Sequence, residues 1–271
     1  MMKKTLLTLG LSAALVSGLN AKDLMMATTT STDNTGLLDY LAPKFEKETG
    51  TTLKWVATGT GKALKMGGNC DVDILFVHAP GAEKKFVGTG YGVNRTQVMY
   101  NDFVVIGPKA DPAMVAGMQT VAALKKINDK EAKFFSRGDN SGTNKKEIKL
   151  WKEALTKAPE KASWYVQTGQ GMLRTINMAA EKGGYTMTDR GTWIKYQSQK
   201  ADKNTMKIVV EGDKTLFNQY SVVSINKEKC SNVKPELAAQ FTSWIIKPET
   251  QKTIADFRLL GKALFIPNAG K

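Results

Sequence analysis

The chain is 271 residues long, 42% hydrophobic, with 39 Lys and Arg against 25 Asp and Glu and a formal net charge of +14. That length allows one large domain or two smaller ones with full hydrophobic cores. A basic balance of this size raises nucleic-acid binding, but the lysines are spread along the chain without a basic stripe or interleaved aromatics, which excludes that class and leaves a diffuse positive field suited to small anions.

In chain order, Lys3-Lys4, an apolar stretch from Leu6 to Val16 and small residues from Ser17 to Ala21 have the layout of a secretory signal at 1–21. The expected product starts at Lys22 and is periplasmic, soluble and monomeric. No later apolar run approaches a membrane span. Next, Leu24-Met25-Met26 reads as a strand, Ala27 to Thr32 (ATTTST) holds five consecutive hydroxyl side chains, and an amphipathic helical pattern starts near Thr35. At a strand-to-helix junction the first-turn N–H groups lack partners and carry the positive end of the helix dipole, so an anion binds there without a dedicated charge. Capping alone needs one hydroxyl; five exceed that need.

Further strand and helix patterns follow at Leu37 to Phe45, with Pro43 expected to kink the helix, at Leu53 to Ala57, after Gly61, and at Asp73 to Val77. This is the rhythm of a parallel sheet covered on both faces. Val98 to Gly107 reads as a long extended crossing into a second domain. There, helices are expected at Val115 to Ile127, Asn144 to Thr156 and Gly171 to Lys182, and strands at Lys133 to Phe135, Trp164 to Val166 and Lys207 to Val210. Tyr220 to Ile225 reads as the return strand, and helices at Pro235 to Ile246 and Glu249 to Phe257 finish the chain.

A second hydroxyl-rich turn, Ser136 to Thr143 (SRGDNSGT), joins Phe134-Phe135 to a helix whose start is marked by Asn144 and Glu147 in a capping-box spacing. Gly138 and Gly142 allow a nest of inward N–H groups, and Arg137 supplies a permanent charge. Thr58-Gly59-Thr60-Gly61 and Thr168-Gly169-Gln170-Gly171 are further strand-to-helix turns. Two crossings imply lobe I at 22–106 and 214–271, lobe II at 107–213, and a ligand cleft between them where helix N-termini converge. Cys70 and Cys230 are either a disulfide or two buried thiols. Only one histidine, His78, is present, and no metal-ligand spacing appears.

ATTTSTDNTGLLDYLAPKFEKETG, GTGKAL, DVDILFVHAPGAE, VMYNDFVVIGPKADP, FFSRGDNSGTNKKE, TGQGM and YTMTDRGT together resemble the tungstate-binding proteins of bacterial ABC uptake systems, from Lys22 to Tyr220. The resemblance implies an α/β, two-lobed periplasmic solute-binding protein of type II, each lobe a mainly parallel sheet flanked by helices. It implies no cofactor. The ligand it implies is tungstate, with molybdate, sulfate or phosphate as alternatives, expected to be delivered to a membrane permease with an ATPase partner. By position the ligand residues are Thr29, Thr30, Ser31, Arg137, Ser141 and Thr143, with Thr60 added. Two departures stand out: Asn144 where relatives often have His, expected to change only the cap, and Arg174 where a small residue is usual, either a second cation near the ligand or, as favoured, facing solvent one turn away.

A tetrahedral dianion leaving water needs donors and a pocket with no ionised carboxylate facing it. Asp139 is expected to serve its own turn rather than accept a proton from hydrogen phosphate. An exported enzyme acting on an oxyanion ester is the competing class. Gly59-Thr60-Gly61-Lys62 fails the phosphate-loop spacing, Ser141 lacks a lysine three residues on, and His78 reads as a satisfied structural residue. Arg137-Gly138-Asp139 as an adhesion signal is a chance-level match.

Overall fold

An apolar strand feeding a hydroxyl-rich turn opens the described part of the chain, which the computed structural model gives as residues 22–270. The expected export segment, 1–21, lies outside the described residues. β1 (Lys22–Thr29) leads to a one-turn α1 (Thr30–Asp33) and α2 (Leu37–Thr49); β2 (Thr51–Thr58) leads to α3 (Thr60–Gly68), and β3 (Ile74–Val77) to α4 (Pro80–Gly88). The long β4 (Gly92–Pro108) is followed by α5 (Thr120–Asp129), β5 (Phe134–Ser136), α6 (Gly142–Leu155), β6 (Tyr165–Gln167), α7 (Met172–Lys182), β7 (Thr186–Asp189), α8 (Arg190–Lys200) and β8 (Met206–Val210). β9 (Phe217–Ile225) returns, then α9 (Pro235–Ile245), α10 (Pro248–Asp256) and the two-residue strands β10 (Arg258–Leu259), β11 (Lys262–Ala263) and β12 (Ile266–Pro267).

The first sheet has the order β12-β4-β9-β3-β1-β2. β1 runs parallel to β2 and β3, whereas β9 is antiparallel to β3 and β4. The sheets are therefore mixed, because a strand that carries the chain out of a lobe and one that brings it back must oppose each other. β4 is shared: its last pair with β9 is Asp102 with Phe217, and its pairing with β7 begins at Phe103 with Asp189. The sheet changes partners four residues before the expected crossing. In lobe II, β5 and β6 are parallel, while β7 and β8 are antiparallel to β4.

Alternation and helical periodicity produce cores on both faces of each sheet. Leu37, Leu38, Leu41 and Phe45 of α2 pack with Phe241 and Trp244 of α9 on one face of the first sheet; Ala63, Leu75 and Val223 fill the other. In lobe II, Ala123 and Ile127 of α5 meet Trp151 of α6 and Phe134, and Ile176 of α7 meets Trp193 and Tyr196 of α8. Where β4 changes lobes, Arg190 binds Asp102 through Nε at 2.6 Å and Glu211 through Nη2 at 2.7 Å, tying both crossing segments to the start of α8. Cys70 and Cys230 are bonded, with Cα atoms 5.3 Å apart.

Several expectations change in detail. α2 runs past the expected end at Phe45 to Thr49, and Pro43 sits inside it on the exposed side, where its missing N–H leaves a carbonyl open to water. The expected helix at Val115 to Ile127 starts instead at Thr120. Residues before it form turns held by Asp111, whose Oδ2 accepts the Ala116 N–H at 2.9 Å. α4, β7 and α8 have no counterpart in the sequence reading. At Gly107 a Cβ would sit 2.4 Å from the ring of fully buried Tyr185, whose hydroxyl donates to Asp111 at 2.7 Å and accepts the Ala113 N–H at 2.9 Å. Gly107→Ala should therefore cost about 1–3 kcal/mol as a lowered urea midpoint. An unchanged midpoint would mean that the ring yields freely.

Candidate functional site

Six strand-to-helix junctions converge on one cleft of about 760 Å³. Lobe I contributes the starts of α1 and α3 and the residue after β3; lobe II contributes the starts of α6, α7 and α8. Helix dipoles of α3, α6, α7 and α8 thus aim their positive ends inward. Thr29, Thr30, Ser31, Thr60, Arg137, Ser141 and Thr143 all lie on its wall.

On the lobe I side, Thr29 caps α1: its Oγ1 accepts the Thr32 N–H at 3.2 Å and meets the hydroxyls of Ser31 at 3.0 Å and Thr32 at 2.7 Å. Thr30 is exposed, and Thr60 opens α3 behind Gly59, which caps without a side chain. The hydroxyl run is therefore partly self-bonded, with Ser31 also 2.9 Å from His78 Nε2 and Thr30 the residue whose hydroxyl is nearest to a free donor.

On the lobe II side, Ser141 is the N-cap of α6, its hydroxyl accepting from Asn144 N at 3.3 Å. The helix thus begins at Gly142, and the expected start at Asn144 is corrected: Asn144 is buried inside the first turn. There its Oδ1 accepts the Asn140 N–H at 3.0 Å and its Nδ2 donates to Ser136 at 3.1 Å, stapling the loop. Glu147 accepts from Ser136 at 2.5 Å and from Tyr165 at 2.6 Å instead of closing a capping box. Burial pushes its carboxyl up, against the pull of those bonds. The left-handed residues of the loop are Gly138 and Asn140, not Gly142. A Cβ on Gly138, at φ +61°, would lie 2.8 Å from Gln167 Cβ, so this turn needs glycine.

Arg137 sits at the head of this loop. Its carbonyl accepts the Gly169 N–H at 2.9 Å and its Nη2 binds Asp139 at 2.5 Å, while its buried Nε has no partner among the described residues. Asp139 serves its turn, accepting the Ser141 N–H at 3.1 Å, and is not on the cleft wall. Burial raises its carboxyl, but the Ser141 bonds and the Arg137 charge outweigh that and hold it below the usual range.

Four further wall residues bear on the charge and the hydrogen bonds of the site. Arg174 is exposed but lines the cleft, bonded to Gln170 at 3.2 Å, rather than facing away from it. Lys195 of α8 donates to the Asn34 carbonyl of lobe I, bridging the cleft. Asp189 also lines it, against the expectation of no carboxylate; its two oxygens are occupied by Thr192 N at 2.8 Å and Thr192 Oγ1 at 2.6 Å at the start of α8. That helix terminus offsets its charge locally, and three cations against one carboxylate leave the wall net positive. His78 is the fourth: satisfied, as expected, but with Nε2 2.9 Å from both Thr29 Oγ1 and Ser31 Oγ. Its position straight after the β3 run was the available signal.

Residues 18–249 match the model described as "PBP superfamily domain". Tungstate-binding protein TupA of Campylobacter jejuni is 52% identical over 239 residues, covering 88% of this chain and 88% of that protein. The chain belongs to the TupA family. Among solved structures, the TupA tungstate-binding protein of Desulfovibrio alaskensis G20 is 67% identical, with a TM-score of 0.89, covering 92% of this chain and all of that one. The tungstate ABC transporter structure from Geobacter sulfurreducens is 47% identical, with a TM-score of 0.75, covering 88% of this chain. The TupA family membership fits a two-lobed solute-binding protein of type II, and its relatives are substrate-binding proteins.

Proposed function

We propose that the cleft binds tungstate as an intact dianion and that the protein hands it to the permease and ATPase of an ABC transporter from the periplasm. The lobes are taken as 22–106 with 214–271 and 107–213, closing on the ligand about the two crossings. Thr29, Thr30, Ser31 and Thr60 donate from one side, and Arg137, Ser141 and Thr143 from the other. The observation that carries this reading is that all seven, drawn from both lobes, share one net-positive wall. Donors from hydroxyls, helix N-termini and one guanidinium replace the water shell of a tetrahedron that carries no proton to give back. The family supports tungstate as the ligand, with molybdate as its nearest competitor by charge and shape. A single chain completes the site.

In a thermal-shift panel, tungstate at a thousandfold excess over its Kd should stabilise the protein by about 4 kcal/mol, with sulfate and phosphate far less effective. Equal stabilisation by tungstate, molybdate, sulfate and phosphate would reduce the site to a nonspecific anion trap, and consumption of an oxyanion ester would point to an enzyme.

A further inference from the structure

His78 has its hydrogen bonds ordered from behind. Asn218 Nδ2 donates to Asn101 Oδ1 at 2.8 Å, which leaves Asn218 Oδ1 to accept, and the 3.0 Å contact to His78 Nδ1 is satisfied by an Nδ1–H. The neutral imidazole then has only a lone pair at Nε2, facing Thr29 Oγ1 and Ser31 Oγ at 2.9 Å each. One lone pair accepts one proton. Thr29 or Ser31 must spend its only hydroxyl proton on the ring, and that proton is then unavailable to a ligand made entirely of acceptors. The front of the cleft is therefore one donor short in the neutral state.

We propose that His78 is a positioning residue that takes up one proton from solvent as tungstate binds, turning Nε2 from an acceptor into a donor and returning to the oxyanion the one hydroxyl proton that Thr29 or Ser31 had spent on the ring. This rests on the assignment of tungstate to the cleft. The surroundings of the ring decide its direction. From β9, Asn218 accepts at Nδ1 and the tilted Tyr220 ring lies 4.7 Å away, its hydroxyl kept neutral by burial. From α4, Glu83 is tied to Arg95 at 2.7 Å and its Oε1 accepts the Ala79 N–H, fixing the backbone just after His78. From α1 come only hydroxyls, and from the start of α8 comes the Asp189 carboxylate, which favours the charged ring. Across the cleft, Arg137, Arg174 and Lys195 oppose a further positive charge until a dianion enters among them. In the empty cleft burial dominates and holds His78 below its ordinary value near 6.5, despite Asn218 and Asp189. A doubly negative neighbour reverses that balance and raises it.

With the bound value above the free one, a proton enters with each anion between the two, and affinity falls as pH rises through that window. Calorimetry of the full mature chain with tungstate, near pH 7 in buffers of different ionisation enthalpy, should give an apparent enthalpy that varies linearly with buffer, with uptake approaching one proton. Across about pH 6 to about pH 9 the affinity should fall by up to tenfold per unit within the window. In His78→Gln, whose amide donates without titrating, tungstate binding should show no buffer dependence and a flat profile. A buffer-independent enthalpy in the unaltered protein overturns the proposal while leaving tungstate binding intact, as does a pH slope that survives in His78→Gln. The unaltered protein alone decides the matter if that variant does not fold. Absence of tungstate binding at any pH overturns both this and the assignment of the ligand.

Discussion

Arg137→Ala should weaken tungstate binding about tenfold to hundredfold or more, the largest effect expected of any single cleft residue. A hydrogen bond to a charged group is worth about 1.5–3 kcal/mol, and each 1.4 kcal/mol is tenfold in affinity. Two features of the structure push toward the upper end. The guanidinium spends Nη2 on Asp139 at 2.5 Å but keeps a buried Nε without a partner among the described residues, so donors remain for an anion. Removing it also leaves the Asp139 carboxylate without its paired cation, adding repulsion to lost attraction. Arg137→Lys restores the charge but not the planar fork, and should recover only part of the loss. Competitive calorimetry with tungstate and molybdate measures both variants. Unchanged tungstate affinity in Arg137→Ala would take Arg137 out of the site, leaving the hydroxyls and helix ends as the whole of it.

The wall of this cleft was legible in the sequence where chemistry is written locally. A run of hydroxyls after an apolar strand and a Gly-containing turn with one arginine both announce a strand-to-helix junction, and the fold brings those junctions together. Residues whose role depends on three-dimensional neighbours were not legible. Asp189 caps α8 and Lys195 lies within it, where the apolar residues Trp193, Ile194 and Tyr196 are bunched and broken only by Lys195, so no clean helical period marks the helix. Asn144 reads as a cap because of its spacing to Glu147, yet Ser141 caps and Asn144 turns inward, since the buried Ser136–Glu147–Tyr165 network supplies it with partners. Arg174 lies three residues after Gly171, one turn into α7, close enough for an exposed side chain to stay on the wall that the helix N-terminus forms. The alternation of strands and helices gave the two-lobed class, while the antiparallel β4 and β9 follow from the crossings themselves. Strand direction there is a property of the path, not of residue type.

Removing the disulfide, as Cys70→Ser with Cys230→Ser, should lower the melting temperature by about 10 °C or more. The bond has a sequence separation of 160 residues. A loop of that length restricts the unfolded chain by about 5 kcal/mol in the chain-entropy account, which converts to a shift of this size for a protein of this length. Its placement sets what else changes. Cys70 follows α3 and Cys230 follows β9, so the closed loop contains the whole of lobe II while both anchors belong to lobe I. The bond therefore joins the two chain segments of the discontinuous lobe without touching the cleft, whose wall includes neither cysteine. Tungstate affinity measured well below the melting temperature should be unaltered, separating a stability role from a binding one. Scanning calorimetry and binding calorimetry on the double variant check the two halves. A shift of less than about 2 °C would mean that the reduced unfolded chain is already compact enough to hold these segments together.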